Sequence, residues 1–461
     1  MRSRRDQVQA HAYMVGRLTS ALVHAEPDAP ESPLRRTGLG SFGGLLVGAL
    51  IVAAFMVWGL ISPGSKASAL TAGELLLVKE TGTRFIYAGS ELHPVLNYSS
   101  ALMLTGGDAT MTSVSSSALN GIPQGQPLGI LGAPDQLPAA SSLNAGAWLA
   151  CSQSGPGAPL VSLSIGPPPQ LSEPPADDAV LVATPNAEYL LWRGTRLRLD
   201  AASIVAALGF NDAPVVKVAP PWLNAVPAGP DLGPLSVPGA GQPGPVLGGL
   251  HTRVGQVLVV RNVGSPSELY VVGPDGVSLI TATQAAVLLT DRGESAAYPG
   301  GTVAPVTVSP AAIANAPVVP SSLGDKVAVP SAPPRDYLPG AGAVPCAEYS
   351  ASGGTAPRLV FAVPPAGQPP AVGTPGVTAS PEGASLISVA PDDGALVRPE
   401  IAPGSGGNSL FLVTDTGVKY PLPATEATAL GYRAGRADPL PAALLGLLPT
   451  GPALDLPALR R

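Results

Sequence analysis

Residues 42–61, FGGLLVGALIVAAFMVWGLI, form an apolar run without a single charge. At a helical rise of about 1.5 Å per residue it spans roughly 30 Å, the thickness of a bilayer's hydrocarbon core, so one transmembrane helix is expected. A cleaved signal peptide is the competing reading, but its apolar core is shorter, about 7 to 15 residues, and lies nearer the start. Arg2, Arg4, Arg5, Arg17, Arg35 and Arg36 precede the run, whereas Lys66 and Lys79 are the only early cations after it. Cations gather on the cytoplasmic side of a span, so the N-terminus is expected inside and the longer C-terminal part outside the cytoplasm.

Charge supports that division. Residues 1–61 carry six cations against four anions, and the rest carry 19 against 27. With aromatics at only 4%, the acidic outer part lacks the basic, aromatic-rich surface that would hold nucleic acid. Gly and Pro, 55 of each, approach the level of a disordered chain, yet the 45% hydrophobic content is that of a globular one. Compact modules joined by irregular loops are expected.

Cys151 and Cys346 are the two cysteines, both on the outer side. In an oxidising compartment such a pair is read as a structural disulfide, with two buried thiols as the alternative. Metal binding by two cysteines without a nearby histidine is disfavoured. Closing a loop of about 195 residues stabilises a fold by up to roughly 5 kcal/mol in the chain-entropy account.

Internal repeats organise the outer part. LLLVKETGTRFIY from Leu75, YLLWRGTRLRL from Tyr189, LYVVGPDGVSLI from Leu269 and LFLVTDTGVKY from Leu410 each place a glycine, Gly82, Gly194, Gly276 or Gly417, between two apolar runs. That is hairpin chemistry. Each is followed by a short helical pattern: HPVLNYSSALML with Pro94 in its first turn, AASIVAALGF, ATQAAVLL and ATEATALGY. The unit reads as strand, turn, strand, helix. Cys151 lies between copies one and two and Cys346 between copies three and four, so these two long segments are expected to meet as one discontinuous core.

The fold class is therefore α+β and β-rich: a single transmembrane helix, then an extracytoplasmic domain of a disulfide-stapled core plus about four repeats. The expected boundaries are a cytoplasmic segment at 1–41, the membrane helix at 42–61, repeat 1 at 70–107, core at 108–177 and repeat 2 at 178–223. A Pro/Gly-rich linker follows at 224–250, repeat 3 at 251–299, core again at 300–398, and repeat 4 with the tail at 399–461.

Before the membrane, His11, Val15, Leu18 and Leu22 follow the four, three, four spacing of a helix stripe, and Pro27 and Pro30 end the pattern. Two roles suit such a helix. It can rest on the inner leaflet through Arg4, Arg5 and Arg17, or dock a partner's cytosolic domain. Within the membrane run, Gly43, Gly44 and Gly48 permit close helix contact.

Several long motifs carry a resemblance over almost the whole chain: RRDQVQAHAYMVGRLTSAL from Arg4, PLRR from Pro33, WGLISPG from Trp58, ELHPVLNYSSALMLTGG from Glu91, GIPQGQPLGILGAPDQLP from Gly121, AWLAC ending at Cys151, and LLGLLPTGPALDLPA from Leu444. In that order they resemble EccB, the single-pass membrane component of actinobacterial type VII (ESX) secretion systems. The resemblance implies a structural and assembly subunit in the inner membrane, alongside EccC, EccD, EccE and the mycosin protease. It also implies a hexameric complex whose outer domains pack together and gate or receive substrate, and it is compatible with the repeats and core read from the residues.

Enzymatic and receptor readings stand beside it. ATP hydrolysis has been ascribed to some members, but the nearest phosphate-loop pattern, GLISPGSKAS from Gly59, displaces Lys66 by one residue and follows it with Ala67. No catalytic residue, cofactor or metal is therefore assigned. His93 and His251 are too few for a histidine metal cluster, and Asp177–Asp178 and Asp392–Asp393 sit among loop-forming residues. A wall-binding receptor would need exposed aromatics for sugars, whereas Tyr87, Trp192 and Tyr270 fall inside the hairpins and are expected to pack.

Overall fold

The computed structural model describes residues 4–25, 33–61, 70–107, 110–144, 146–262, 264–320, 323, 330–350, 356–400 and 409–455. The chain forms two compact units, one of Met1–Leu92 with Met111–Pro123 and the other of His93–Thr110 with Gln124–Arg461.

The first unit holds helices α1 (Arg4–His24) and α2 (Pro33–Ile61) and a four-stranded sheet. Helix α2 contains the expected apolar run but starts nine residues before it, because nothing between Pro33 and Ser41 breaks a helix strongly enough to stop it. Its stretch Gly38–Trp58 is long and apolar enough to cross a membrane, and none of it is buried. In the sheet, Leu75–Val78 pairs antiparallel with Arg84–Ala88 and parallel with Met111–Val114, and Glu91–Pro94 lies at the far edge.

That strand order recurs three times in the second unit. Repeat 2 has strands Asp178–Ala183, Glu188–Trp192 and Thr195–Leu199, helix Ala202–Ala207 and strand Val216–Lys217. Repeat 3 has Val257–Val260, Glu268–Val272, Val277–Ile280, helix Ala282–Thr290 and Val306–Val308. Repeat 4 has Ala395–Glu400, Leu410–Val413, Lys419–Leu422, helix Ala424–Ala429 and Asp438–Pro441. In every copy three strands form an antiparallel meander, and the strand after the helix lies parallel to the first.

The unit thus has four strands, not the two expected from the hairpins. The first strand precedes the hairpin motif in repeats 2 to 4, and the last is only two to four residues long. In the first copy the motif at Leu75 covers strands one and two, whereas the other motifs cover strands two and three. The expected boundaries shift accordingly: Met111–Val114, Val306–Val308 and Ala395–Glu400 belong to repeats 1, 3 and 4.

The first repeat helix also starts later than expected. Asn97 caps it by accepting from Ser100 N at 3.1 Å, so the helix is Tyr98–Thr105 and Pro94 ends the preceding strand. An Asn N-cap satisfies an otherwise orphaned donor, which proline in the first turn does not. Gly106, at φ 71°, closes the helix.

Each last strand runs into a short closing helix and then a strap that returns along the third strand. The carbonyls of Pro123, Pro227, Pro317 and Pro449 accept from Leu92, Arg196, Val277 and Lys419 at 2.9, 2.9, 2.8 and 3.0 Å. Proline supplies the acceptor, and in repeats 2 to 4 the residue two further on donates back: Gly229 N to Arg196 O, Val319 N to Val277 O and Gly451 N to Lys419 O. The stretch expected to be a linker at 224–250 is therefore structured: Gly229 N and Leu232 N continue the pairing to Arg196 O and Arg198 O, and Pro243–Leu247 pairs with Leu250–Arg253. Strap glycines serve close packing: a Cβ on Gly229 in this stretch would lie 2.4 Å from Leu197, and one on Gly451 in the strap of repeat 4 would lie 2.3 Å from Tyr420.

A six-stranded sheet lies at the centre of the second unit. Its order is Leu386–Val389, Leu160–Gly166, Ala147–Gln153, Val344–Tyr349, Arg358–Ala362 and Leu171–Ser172. Cys151 stands opposite Cys346 on adjacent antiparallel strands, and the two are disulfide-bonded and fully buried. Leu149, Val360 and Ala362 surround the bridge on one face. On the other face Trp148, Ala347, Tyr349 and Phe361 meet the closing helices Pro220–Ala225 and Ala442–Leu445. The Trp222 indole donates to Ala150 O at 2.7 Å, and the Tyr349 hydroxyl donates to Ala225 O. Burial pushes the Tyr349 hydroxyl well above its ordinary pKa, so it stays a donor.

Two outcomes follow from this core. Replacing Cys151 and Cys346 together by serine is expected to lower stability by about 2–5 kcal/mol, read from denaturant midpoints of the oxidised and substituted chains. Trp222→Ala is expected to cost about 3–5 kcal/mol, through the cavity and the lost indole donor. An unchanged midpoint in either variant would contradict the packing described.

Candidate functional site

Helix α1 places His11, Val15, Leu18 and Leu22 along one stripe, and Val8 extends it by a further residue three positions earlier. All five are exposed; Leu18 and Leu22 are 63% and 83% accessible. Arg4 and Arg5 stand exposed in the first turn. Tyr13 and Met14 are also exposed and were not part of the expected stripe. Arg17 lies over the Tyr13 ring, 5.9 Å from its centroid, so the apolar surface of α1 is wider than a single row.

On α2, a Cβ added at Gly43, Gly44 or Gly48 would meet nothing within 4 Å. Gly40, Gly44 and Gly48 recur every fourth residue and share one face, whereas Gly43 sits to its side. Gly40 was missed in the sequence because the apolar run was taken to begin at Phe42.

The other residues singled out are held in structural contacts. His93 lies in the strand Glu91–Pro94, with Nδ1 2.9 Å from Gln126 O. Asp177 is 3.8 Å from the Arg193 guanidinium, which covers the Trp192 ring at 4.7 Å, and Asp392 accepts from Gln136. Asp178 begins the first strand of repeat 2 and is not in a loop. Tyr87, Trp192 and Tyr270 are half-buried against the repeat cores, as expected. Among the described residues no group of three or more His, Cys, Asp or Glu is placed to hold a metal ion. Most of the phosphate-loop-like pattern, including Lys66 and Ala67, lies outside the described residues.

A family model described as type VII secretion system ESX-1, transport TM domain B, matches residues 2–459. The chain belongs to the EccB family. The ESX-3 secretion system ATPase EccB3 of Mycolicibacterium smegmatis is 29% identical over 474 residues, covering 98% of this chain and 89% of the relative. Its Mycobacterium tuberculosis namesake is 28% identical over 491 residues, covering 98% and 88%. Among solved structures, the EccB3 dimer from the ESX-3 core complex aligns with a TM-score of 0.65 at 28% identity, covering 84% of this chain and 99% of that one. A chain of an intact ESX-5 inner membrane complex aligns with a TM-score of 0.65 at 25% identity, covering 100% and 95%. EccB proteins are thus components of ESX inner membrane complexes, and the mixed α+β, strand-rich fold described above matches the EccB3 dimer and the ESX-5 complex chain.

Proposed function

We propose that this EccB-family chain is a structural and assembly subunit of a type VII secretion complex, with its N-terminus in the cytoplasm and its repeat domain in the periplasm. The observation that carries the reading is the family match, which runs unbroken from the cytoplasmic motif through α2 into the last repeat. In this reading α1 docks the cytosolic part of a partner, α2 packs against other spans, and the outer domain self-associates in a hexameric complex. EccC, EccD, EccE and the mycosin protease are the proposed partners, and the outer domain gates or receives substrate. The arrangement of arginines before α2 supports the orientation. No cofactor is needed for this role.

The name of the EccB3 relatives, ESX-3 secretion system ATPase, raises ATP hydrolysis as a second reading. Phosphate release by the chain purified away from EccC tests it. Turnover that stays with this chain through successive purification steps would favour the enzyme, and turnover that leaves with a contaminant would remove it.

Leu18→Asp with Leu22→Asp keeps all the arginines that set orientation, so it separates docking from topology. The variant is expected to insert normally yet fail to enter the complex on native gels. Normal incorporation would refute the docking role. Gly44→Leu with Gly48→Leu is expected to reduce complex yield by widening the closest approach of neighbouring helices, while an unchanged yield would make α2 a plain tether.

A further inference from the structure

The fourth repeat carries a cleft that the assembly role does not use. It is an open cleft of about 750 Å³ between residues 140–144 and residues 431–438, with Leu396 buried beneath it. Its two walls are bonded to each other. Asn144, in the left-handed region at φ 58°, accepts from Leu396 N at 3.0 Å and donates to Leu396 O and Arg436 O at 3.2 Å each. Buried Tyr432 donates to Pro138 O at 2.8 Å. The cavity is preformed, which removes an ordering cost from binding.

The charges in it are unbalanced. Arg433 and Arg436 line the cleft, and neither pairs with a carboxylate among the described residues. The one carboxyl in the lining is Asp438, half-buried and without a side-chain partner among the described residues. The strand beside it, Ala395–Glu400, brings Arg398 and Glu400, with Arg398 Nη2 3.5 Å from Ala434 O. The facing residues 140–144 carry no titratable group.

We propose that this cleft binds a short peptide segment in which a carboxylate adjoins an apolar side chain, Arg433 and Arg436 holding the carboxylate and Ala140 and Leu143 receiving the apolar group. The N–H fork of a guanidinium matches a carboxylate's two oxygens, and a second cation beside it adds to the attraction. A single small anion would leave the wall formed by Ala140 and Leu143 uncovered, whereas a few peptide residues suit a cavity within the roughly 300–1,000 Å³ of ligand sites. Burial pushes the Asp438 carboxyl up to about 6, so it is mostly charged at neutral pH and repels a bound carboxylate. The ligand's own carboxylate, ordinarily near 4.3, stays ionised as Asp438 gains its proton, so binding tightens as pH falls through about 6.

The test uses the full chain in detergent and fluorescence anisotropy of a labelled Ala-Leu-Glu-Leu amide against its Gln counterpart. The Glu peptide is expected to bind about tenfold more tightly near pH 5.5 than the Gln peptide. Arg433→Glu with Arg436→Glu is expected to abolish that difference, and Asp438→Asn to give the Glu peptide the same affinity at about pH 7.5 as at about pH 5.5. Equal affinity for the two peptides, no binding of either, or insensitivity to arginine reversal would overturn the assignment. Displacement by inorganic phosphate as readily as by unlabelled peptide would also overturn it, since it would mark a simple anion site.

Discussion

The antiparallel pairing of Ala147–Gln153 with Val344–Tyr349 is the contact on which the repeat-bearing domain depends. Once those strands lie together, repeats 2 and 3 are confined to one closed excursion between them. The pairing places Trp148 and Tyr349 on one face and both cysteines on the other, so opposite sides of one ladder do different work. The disulfide restricts the unfolded chain, and the aromatic face fastens repeats 2 and 4 through their closing helices. Trp222 and Tyr349 illustrate the second function: each fills volume and also supplies a donor to a buried carbonyl.

Around that sheet, one supersecondary unit is used in different settings. The closing helices of repeats 2 and 4 contribute Leu223 and Leu444 to the central core. The closing helix of repeat 3, Pro310–Ala314, packs Ala312 and Ile313 against its own sheet instead. Helices Ala202–Ala207 and Ala282–Thr290 pack side by side, as do Tyr98–Thr105 and Ala424–Ala429. Neighbouring copies therefore bury faces that a lone copy would leave wet, which is the general logic of repeat proteins.

How much of this was legible follows the range of the interactions. The membrane run, α1, the repeat glycines and the cysteine pairing were readable because each leaves a local or strongly constrained signature. The last strands of the repeats were not, since Val216–Lys217 and Val306–Val308 are short and gain their strand character only beside a partner far along the chain. Prolines and glycines at 227–232 read as a linker because composition reports flexibility and says nothing of a sheet edge that the segment can pair with. The cleft was invisible for a related reason: Asn144 and Arg436 are 292 positions apart, and only the fold brings them together.

The proline straps have a further consequence. A sheet edge is a template onto which any extended chain can grow, and unchecked growth leads to polymers of indefinite length. In each repeat the third strand, which would present such an edge, is occupied by a short strap of the same chain, and in repeat 4 the strap's own outer side is taken up by Thr378, which exchanges two bonds with Thr450. Many copies of this domain can therefore be crowded into one membrane assembly while contact by that edge stays quenched, leaving association to side-chain surfaces whose geometry can close and stop.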